Sequence, residues 1–288
     1  MREWPVAWTP ASDVSNRRRQ AASLPSLWPR VQTRRRWARR WRQLPAGLQL
    51  FAALLFLGLA GLLANGAYQV VRKPTELFFP VSDTLAKTPG ETWREYAPIF
   101  TRHSTAAITP AFLAALAQVE ASGNPVVRTY WRFSPRERPL DVYRPASSAV
   151  GMYQITDGTF AETRRLCVHH HIVVEDGAWN QPRSCWFNGL YFRVVPSHAV
   201  EMTAAYLDRK VMDTLRRHRI RRVTPAQKLD IATLTHLCGA GFANGYVRRG
   251  LRLRPGQRCG DHDPRGYLTR VQTLTRAFRR MEHSDGRS

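Results

Sequence analysis

The longest apolar pattern of the chain lies near its start. No charged residue occurs from Gln43 to Val71, and the stretch from Leu48 to Ala64 is almost wholly apolar. About 20 apolar residues suffice for a helix to cross a membrane, so the pattern predicts one membrane-spanning helix at residues 44–71. A cleaved signal peptide is the alternative. The pattern favours an uncleaved anchor, because more than forty residues precede the apolar run and no clean Ala-x-Ala site follows it.

Further along the chain, apolar positions recur at the spacing of amphipathic helices. Thr109 and Pro110 are typical of a helix start, and Gly123 is typical of a helix end. The predicted apolar face of this helix ends in a carboxylate and comprises Phe112, Leu113, Leu116, Ala117 and Glu120. A second helix is predicted to be capped by Ser197, with its apolar stripe formed by Val200, Ala204, Leu207, Val211 and Leu215.

Three more helices are predicted from their start signals. A helix capped by Thr156 or Asp157 is expected to reach about His170. Thr224 to Gln227 reads as a capping box with proline at the first helical position. Asp263 and Pro264 precede a last helix with an apolar stripe formed by Tyr267, Val271, Leu274 and Phe278. The segment from Glu175 to Val195 is expected to be a long, crosslinked loop.

These elements predict a mainly α-helical domain behind an N-terminal membrane helix. A short helix near Trp93 to Phe100 is expected within the linker, which is rich in proline. The predicted divisions are a basic, mostly disordered cytoplasmic segment at 1–43, the membrane helix at 44–71, a linker at 72–104, the folded domain at 105–282 and a tail at 283–288.

Charge orients the predicted anchor and limits the partners. The formal net charge is +23, and residues 1–43 hold eleven arginines against Glu3 and Asp13. An excess of arginine on one side of a membrane helix predicts that this side is cytoplasmic, so the folded domain would lie outside the cytoplasm. The sequence contains no recognisable nucleic-acid module, phosphate loop or finger spacing, so nucleic acid is not an expected partner.

Glu120 is the candidate catalytic residue. It follows an otherwise apolar helix face and lies at the helix C-terminus, where the helix dipole disfavours a negative charge. Apolar surroundings and the dipole both predict a raised pKa for this carboxyl group. A general acid that works near neutral pH needs such a pKa. A solvated last-turn glutamate is the alternative.

Two segments together resemble a known enzyme family. Glu-Ala-Ser-Gly-Asn-Pro at residues 120–125 is followed by Ser-Ala-Val-Gly-Met-Tyr-Gln-Ile at residues 148–155. This pairing resembles the catalytic core of the soluble lytic transglycosylase (SLT) family, which has a lysozyme-like fold. Tyr-Leu-Thr-Arg-Val at residues 267–271 is similar to the family's closing motif. His236 to Gly241 takes the place of the family's glycine turn, with His236 where the family has tyrosine.

The resemblance implies the activity and the site. The family cleaves the MurNAc–GlcNAc β-1,4 bond of peptidoglycan with one glutamate as acid and base, and it leaves 1,6-anhydroMurNAc ends. No cofactor and no metal are implied. Glu120 would be catalytic, and the residues expected to bind substrate are Ser122, Gly151, Met152, Tyr153, Gln154, His236, Gly239 and Tyr267. The partners would be glycan strands, the inner membrane that holds the anchor and the proteins of an envelope-spanning machine.

Two other functions remain open at this point. A lysozyme-type hydrolase needs a second carboxylate, which Glu137 or Asp141 could supply. Both lie in an insertion from Val126 to Pro145 that is rich in arginine and aromatic residues. The insertion is expected either to border a glycan groove or to form a surface loop held by its own aromatics. A non-catalytic cell-wall-binding scaffold is the third function.

All four cysteines lie in the C-terminal half: Cys167, Cys185, Cys238 and Cys259. An even number on the predicted outer side of the membrane favours two disulfides in an oxidising compartment. Three connectivities are open, and pairing of sequence neighbours closes the shortest loops. Four free buried thiols are the alternative. A zinc site that joins Cys167 to a neighbouring histidine (His169, His170 or His171) matches no standard ligand spacing.

Overall fold

The computed structural model describes residues 41–78, 82–127, 129–138, 140–175 and 184–286. The predicted disorder of the basic N-terminal segment lies almost wholly outside these residues. The chain forms two compact units, Met1–Ala60 and Gly61–Ser288. The described part is mostly helical, as predicted.

Helices and two short hairpins follow one another along the chain. The α-helices are α1 (Ala46–Arg72), α2 (Pro89–His103), α3 (Pro110–Ala121), α4 (Asp157–Thr163), α5 (Pro196–Arg217), α6 (Pro225–Arg248) and α7 (Pro264–Asp285). The strands are β1 (Trp131–Phe133), β2 (Tyr143–Pro145), β3 (Leu166–His169) and β4 (Ile172–Glu175), paired antiparallel as β1–β2 and β3–β4. Short 3₁₀ helices occupy Pro74–Phe78, Ser82–Leu85 and Trp186–Leu190.

Helix α1 has the length and composition that the apolar pattern predicts. It contains 27 residues, with a mean hydropathy of 2.1 over its most apolar window. Among the described residues it is the one helix long and apolar enough to cross a membrane. The large apolar side chains between Leu48 and Leu63 are exposed. A helix that exposes such a surface needs an apolar environment, which a bilayer would supply.

The core of the second unit is built around α3. Every residue from Ala111 to Ala117 is buried, and α3 packs against α2 and α7. Thr109 caps α3 through the backbone N–H of Phe112, as predicted. Since small alanines alternate with large apolar residues, neighbouring helices approach α3 from several sides. The helix therefore holds Glu120, in its last turn, in a fixed position.

The segment predicted as a linker contributes to this core. Helix α2 is 15 residues long and opens with a capping box between Thr88 and Glu91. It buries Trp93, and the indole Nε1 of Trp93 donates a hydrogen bond of 2.7 Å to Asp285 of α7. The folded unit thus includes residues before position 105.

The predicted helix from Thr156 to about His170 is wrong in its second half. Helix α4 ends at Thr163, and the chain then forms the hairpin β3–β4. The hairpin turns at His170 and His171, whose φ angles are +49° and +63°. The buried carboxylate of Glu201 on α5 accepts the backbone N–H of Val168 and fixes β3 to the core. Such a distant contact leaves no trace in local periodicity.

The remaining helices follow the predicted pattern with two differences. The whole predicted stripe of α5 is buried, but the helix begins at Pro196 after Val195, so Ser197 lies in its first turn and is not the cap. Helix α6 opens with the predicted Thr224–Gln227 capping box and continues past Gly239 to Arg248. Gly239 interrupts it with φ +80° and ψ +166°.

Both disulfides join cysteines that are neighbours in sequence. Cys167 pairs with Cys185 and Cys238 with Cys259, at Cα–Cα distances of 5.5 and 5.7 Å. The prediction of two disulfides is confirmed, and the shortest-loop connectivity is the observed one. Because Cys167 is oxidised, it offers no thiolate to a metal.

Gly151 allows a close backbone approach that generates a stability prediction. Its φ is +78°, and an added Cβ atom would overlap the carbonyl oxygen of Arg193. We expect Gly151→Ala to lower the free energy of unfolding by more than about 2 kcal/mol, because strain and overlap add. Gly158→Ala is the control, because Gly158 lies in α4 with nothing near its Cβ position. Urea denaturation measures both; equal stability of the two variants would contradict the prediction.

Candidate active site

Glu120 lies where three parts of the fold meet. Its side chain is 16% exposed in the last turn of α3. The hydroxyl of Tyr267, in the first turn of α7, donates a hydrogen bond to Glu120 Oε1. His236 Nε2, on α6, lies 3.4 Å from the same oxygen. A carboxyl group between a phenol and an imidazole can accept a proton when it is ionised and donate one when it is protonated.

Local sequence explains how these partners are positioned. Asp263 caps α7 through the backbone N–H of Arg265, so that α7 begins with Tyr267 facing Glu120. His236 precedes the interruption of α6 at Gly239 by three residues. Left-handed backbone is costly for residues with a Cβ atom, which makes glycine the natural residue at that break.

The pKa of Glu120 is shifted in the direction opposite to the prediction. Burial is the largest influence and raises the pKa. The hydrogen bond and charge of His236, the hydrogen bond from Tyr267 and the charge of His262 together outweigh burial and lower the pKa below its ordinary value. Glu120 is therefore a carboxylate at neutral pH in the unliganded protein. Its ionisation stabilises the fold above the unfolded pKa of about 4.3, and this contribution is lost as the pH falls through the folded pKa.

Tyr267 shows the reciprocal effect. Burial raises its pKa far above the ordinary value, and the charge and hydrogen bond of Glu120 raise it further. The phenol therefore stays protonated and acts as a donor to the carboxylate.

A disulfide joins the two segments that carry the histidines. Cys238 lies two residues after His236, and its partner Cys259 exchanges backbone hydrogen bonds of 3.3 and 3.2 Å with His262. The bridge thus ties the break in α6 to the turn before α7. The sequence analysis did not single out His262, whose role depends on this fold-dependent proximity.

A polar groove adjoins the cluster at His236. It has a volume of about 210 Å³. Its lining residues are mainly hydroxyl-bearing and comprise Gln154, Ile155, Thr156, Thr159, Thr163, Thr203, Tyr206, Thr235, His236 and Gly239. The hydroxyl of Thr203 is buried and has no hydrogen-bond partner among the described residues. Hydroxyl and amide groups at the wall of a groove suit a ligand that is itself rich in hydroxyls, such as a sugar.

In the segment from Gly151 to Gln154, the first three residues support the turn and the last one lines the groove. Met152 and Tyr153 are fully buried, and the Tyr153 hydroxyl donates a hydrogen bond of 3.1 Å to the carbonyl of Leu113. Gln154 has a φ of +47° and lines the groove. Its side-chain amide donates a hydrogen bond of 2.9 Å to the carbonyl of Gly151. Gly151, Met152 and Tyr153 therefore fix the turn that presents Gln154.

Of the other predicted site residues, His236 and Gly239 line the groove, and Tyr267 contacts Glu120. Ser122 ends α3 in a left-handed conformation, with an exposed side chain, and its carbonyl accepts the backbone N–H of Lys87. The sequence analysis missed the threonines of the groove. Thr156, Thr159 and Thr163 recur at helical spacing, which was the available signal.

Both candidates for the hydrolase's second carboxylate form ion pairs with arginines. Glu137 accepts a hydrogen bond of 2.9 Å from Arg144, and Asp141 accepts one of 3.0 Å from Arg72. The insertion that carries them packs on the end of α1. Within the described ranges, no cluster of three or more histidine, cysteine or acidic residues could hold a metal ion.

Comparison of the chain with protein-family models and with curated proteins finds no match. Any functional assignment therefore depends on the chemistry of the Glu120 cluster and its groove.

The charge of His236 gives a testable electrostatic prediction. We expect His236→Gln to raise the pKa of Glu120, because the charge of His236, one of the influences that lower this pKa, is removed. Carboxyl ¹³C NMR titration measures this pKa, and Glu120→Gln assigns the signal. His218→Gln is the control, because His218 bonds to Asn244. A Glu120 pKa that is unchanged or lower in His236→Gln would contradict the electrostatic account.

The disulfide next to His236 allows a matched comparison. Cys238→Ser/Cys259→Ser and Cys167→Ser/Cys185→Ser each open a loop, with sequence separations of 21 and 18. We expect each pair to lose about 3 kcal/mol of unfolding free energy, measured by denaturation. Only the first pair should also raise the pKa of Glu120 in the same NMR titration, because it frees the segments of His236 and His262. A raised pKa in both pairs would show that general loosening is the cause.

Proposed function

We propose that this protein is a membrane-anchored lytic transglycosylase that cleaves peptidoglycan glycan strands. The observation that carries the proposal is the Glu120 cluster, with one enclosed carboxylate bonded to Tyr267 and His236 beside a polar groove. The resemblance of residues 120–125 and 148–155 to the SLT family supports it, and a lysozyme-like arrangement of the helical unit is part of the proposal.

The lowered pKa of Glu120 requires a source for the proton that the leaving oxygen needs. A glycan strand in the groove would exclude water, and burial already raises the pKa of Glu120 more than any other single influence. Further desolvation would raise the pKa of Glu120 from its lowered value, so that the carboxylate would take up a proton as the strand binds. Glu120 would then act as the general acid, with His236 Nε2 at 3.4 Å to orient it.

The reaction can be completed with that one proton. Glu120 donates it to the glycosidic oxygen while the N-acetyl group of the sugar stabilises the developing cation. The Glu120 carboxylate then takes the proton of the muramyl 6-hydroxyl, and that oxygen closes the 1,6-anhydro ring. Glu120 regains its proton, no water is consumed, and no second protein carboxylate is required.

The proposed location is the inner membrane, with the N-terminus in the cytoplasm and the catalytic unit outside it. Helix α1 and the arginine excess before it support this orientation. Two disulfides are consistent with an oxidising compartment.

A non-catalytic cell-wall-binding protein is the second candidate. The lowered pKa of Glu120 favours it, because a general acid in its resting state is ordinarily protonated. This candidate predicts that the groove binds glycan without changing it.

Digestion of purified cell-wall sacculi by the full-length protein tests the proposal. We expect soluble products with 1,6-anhydroMurNAc ends, detected by mass spectrometry. Glu120→Gln should lower the rate by about 100-fold or more, because it removes the acid–base group. Glu95→Gln is the control, since Glu95 is an exposed residue of α2.

The products separate the three functions. Reducing ends instead of anhydro ends would assign a hydrolase. Binding of sacculi without release of any product, equal for wild type and Glu120→Gln, would assign the non-catalytic function and overturn the proposal.

A further inference from the structure

The β1–β2 hairpin is fixed to the last turns of α1. The side-chain amides of Asn65 and Gln69 donate hydrogen bonds of 2.6 and 2.7 Å to the carbonyl of Leu140. Arg72 adds an ion pair of 3.0 Å to Asp141. Both amide side chains are buried by this contact. The insertion therefore forms a docked layer on the end of the apolar helix.

A buried ion pair reinforces the same junction. Lys73 Nζ lies 3.3 Å from Glu76, and both side chains are buried. The indole of Trp131 on β1 donates a hydrogen bond of 2.7 Å to Glu76. Lys73 also donates to Thr129 and to the carbonyl of Ser147. Because burial of an ion pair is costly without further hydrogen bonds, these partners hold the junction in one geometry.

Cationic side chains surround a cavity at this junction. Its volume is about 210 Å³. Its wall contains five cations and one carboxylate, and the lining comprises Gln69, Arg72, Lys73, Arg132, Arg144, Pro145, Ala146, Ser147, Ser148, Asp157 and Arg193. We call it the basic pocket. Burial, with the charge of Arg193, lowers the pKa of Lys73 although Glu76 raises it.

Two arginines of the basic pocket face each other across the hairpin. The strand register pairs Arg132 directly with Arg144. Like charges at directly opposed positions destabilise a strand pair. Arg132 makes no ion pair with any residue that the structure describes, and Arg144 Nε is buried without a hydrogen-bond partner. Glu137 pairs with a terminal nitrogen of Arg144 at 2.9 Å, which leaves Arg144 Nε and the guanidinium of Arg132 available. An anion between the two guanidinium groups would satisfy the orphaned donor and reduce the remaining repulsion.

The position along α1 indicates the source of that anion. A hydrocarbon core of about 30 Å takes about 20 helical residues, so a span that starts at Leu48 ends near Ala67. Arg72 follows five residues later, about 7.5 Å along the axis. The headgroup layer is about 5–8 Å thick on each side of the hydrocarbon. The basic pocket would therefore face the phosphates of the lipids.

The exposed side chains of the hairpin agree with a membrane surface. Tyr130 and Phe133 are 77% and 69% exposed, and Leu140 and Tyr143 are also exposed. Aromatic residues next to cations are typical of the interface between hydrocarbon and water.

We propose that the basic pocket binds the headgroup phosphate of an anionic phospholipid in the leaflet that faces the folded unit. Arg132 and Arg144 form the centre of the site, and Arg72 and Arg193 form its sides. Bound lipid would lock the hairpin onto the last turns of α1. The inference rests on the proposed membrane crossing, but it is independent of the reaction at Glu120.

Lipid selectivity of the full-length protein in nanodiscs tests the proposal. Spin-labelled phosphatidylglycerol and phosphatidylcholine compete for the protein, and electron spin resonance measures the bound fraction. We expect the wild type to prefer phosphatidylglycerol. Arg132→Gln/Arg144→Gln should reduce that preference by about tenfold or more. The matched control is Arg221→Gln/Arg222→Gln, which removes the same charge from exposed positions outside the basic pocket.

Each result has one meaning for the site. Loss of preference in the first variant alone supports the lipid site. Equal preference in wild type and both variants overturns it, as does equal loss in both variants, which would indicate net charge alone. Two further arms use phosphatidylcholine nanodiscs, one with inorganic phosphate and one with soluble muropeptides. If phosphate or muropeptide binds the wild type but not Arg132→Gln/Arg144→Gln, and no lipid preference is seen, the pocket belongs to that ligand and the proposal is overturned.

Two controls separate this inference from the earlier proposals. Extraction of the protein from membranes by alkaline carbonate would refute the membrane crossing itself. Cleavage of sacculi by Arg132→Gln/Arg144→Gln at the wild-type rate shows that the enzyme is intact while the lipid site is lost.

Discussion

The balance between burial and opposite charge at Glu120 is the constraint on which the candidate site depends. Helix α3 is so fully enclosed that a carboxylate in its last turn loses most of its solvent. Charge can remain there because Tyr267 and His236 bring a hydroxyl and an imidazole from two other helices. Each partner in turn needs its own support, a capped start of α7 for one and a break at Gly239 for the other. The fold is thus organised to compensate one negative charge.

Local signals allowed much of the fold to be predicted. Thr109, Thr224 and Asp263 each cap a helix by a bond to a backbone N–H within three residues, so neighbouring sequence is sufficient. The nearest-neighbour disulfides follow from loop length. The turn at His170 and His171 is different, because residues with a Cβ atom rarely adopt positive φ. Distant contacts to β3, among them the hydrogen bond from Val168 to Glu201 and the Cys167–Cys185 disulfide, fix this hairpin in place of a continued helix.

The structure brings together Glu120, His236 and Tyr267, three of the residues singled out from the sequence, but the electrostatics of Glu120 differ from the prediction. Helix position alone argued for a raised pKa of Glu120, and burial does act in that direction. The opposing charges come from His236 and His262, which lie far along the chain and reach the carboxylate through tertiary structure. The sequence analysis treated residues 44–71 as one apolar span and did not single out Asn65 and Gln69. Their spacing of one turn on a single face was the one sign that α1 docks against protein at its end.

The groove and the basic pocket share a structural element. The guanidinium of Arg193 lines the basic pocket and donates hydrogen bonds of 3.0 and 2.8 Å to the carbonyls of Ser148 and Ile155. Ile155 follows Gln154 in the groove, and the backbone of Arg193 packs on Gly151 at the base of the same turn. An anion that attracts this guanidinium competes with the two carbonyls for its donors. Because linkage is reciprocal, any such coupling must also let occupancy of the groove change the affinity of the pocket by the same factor.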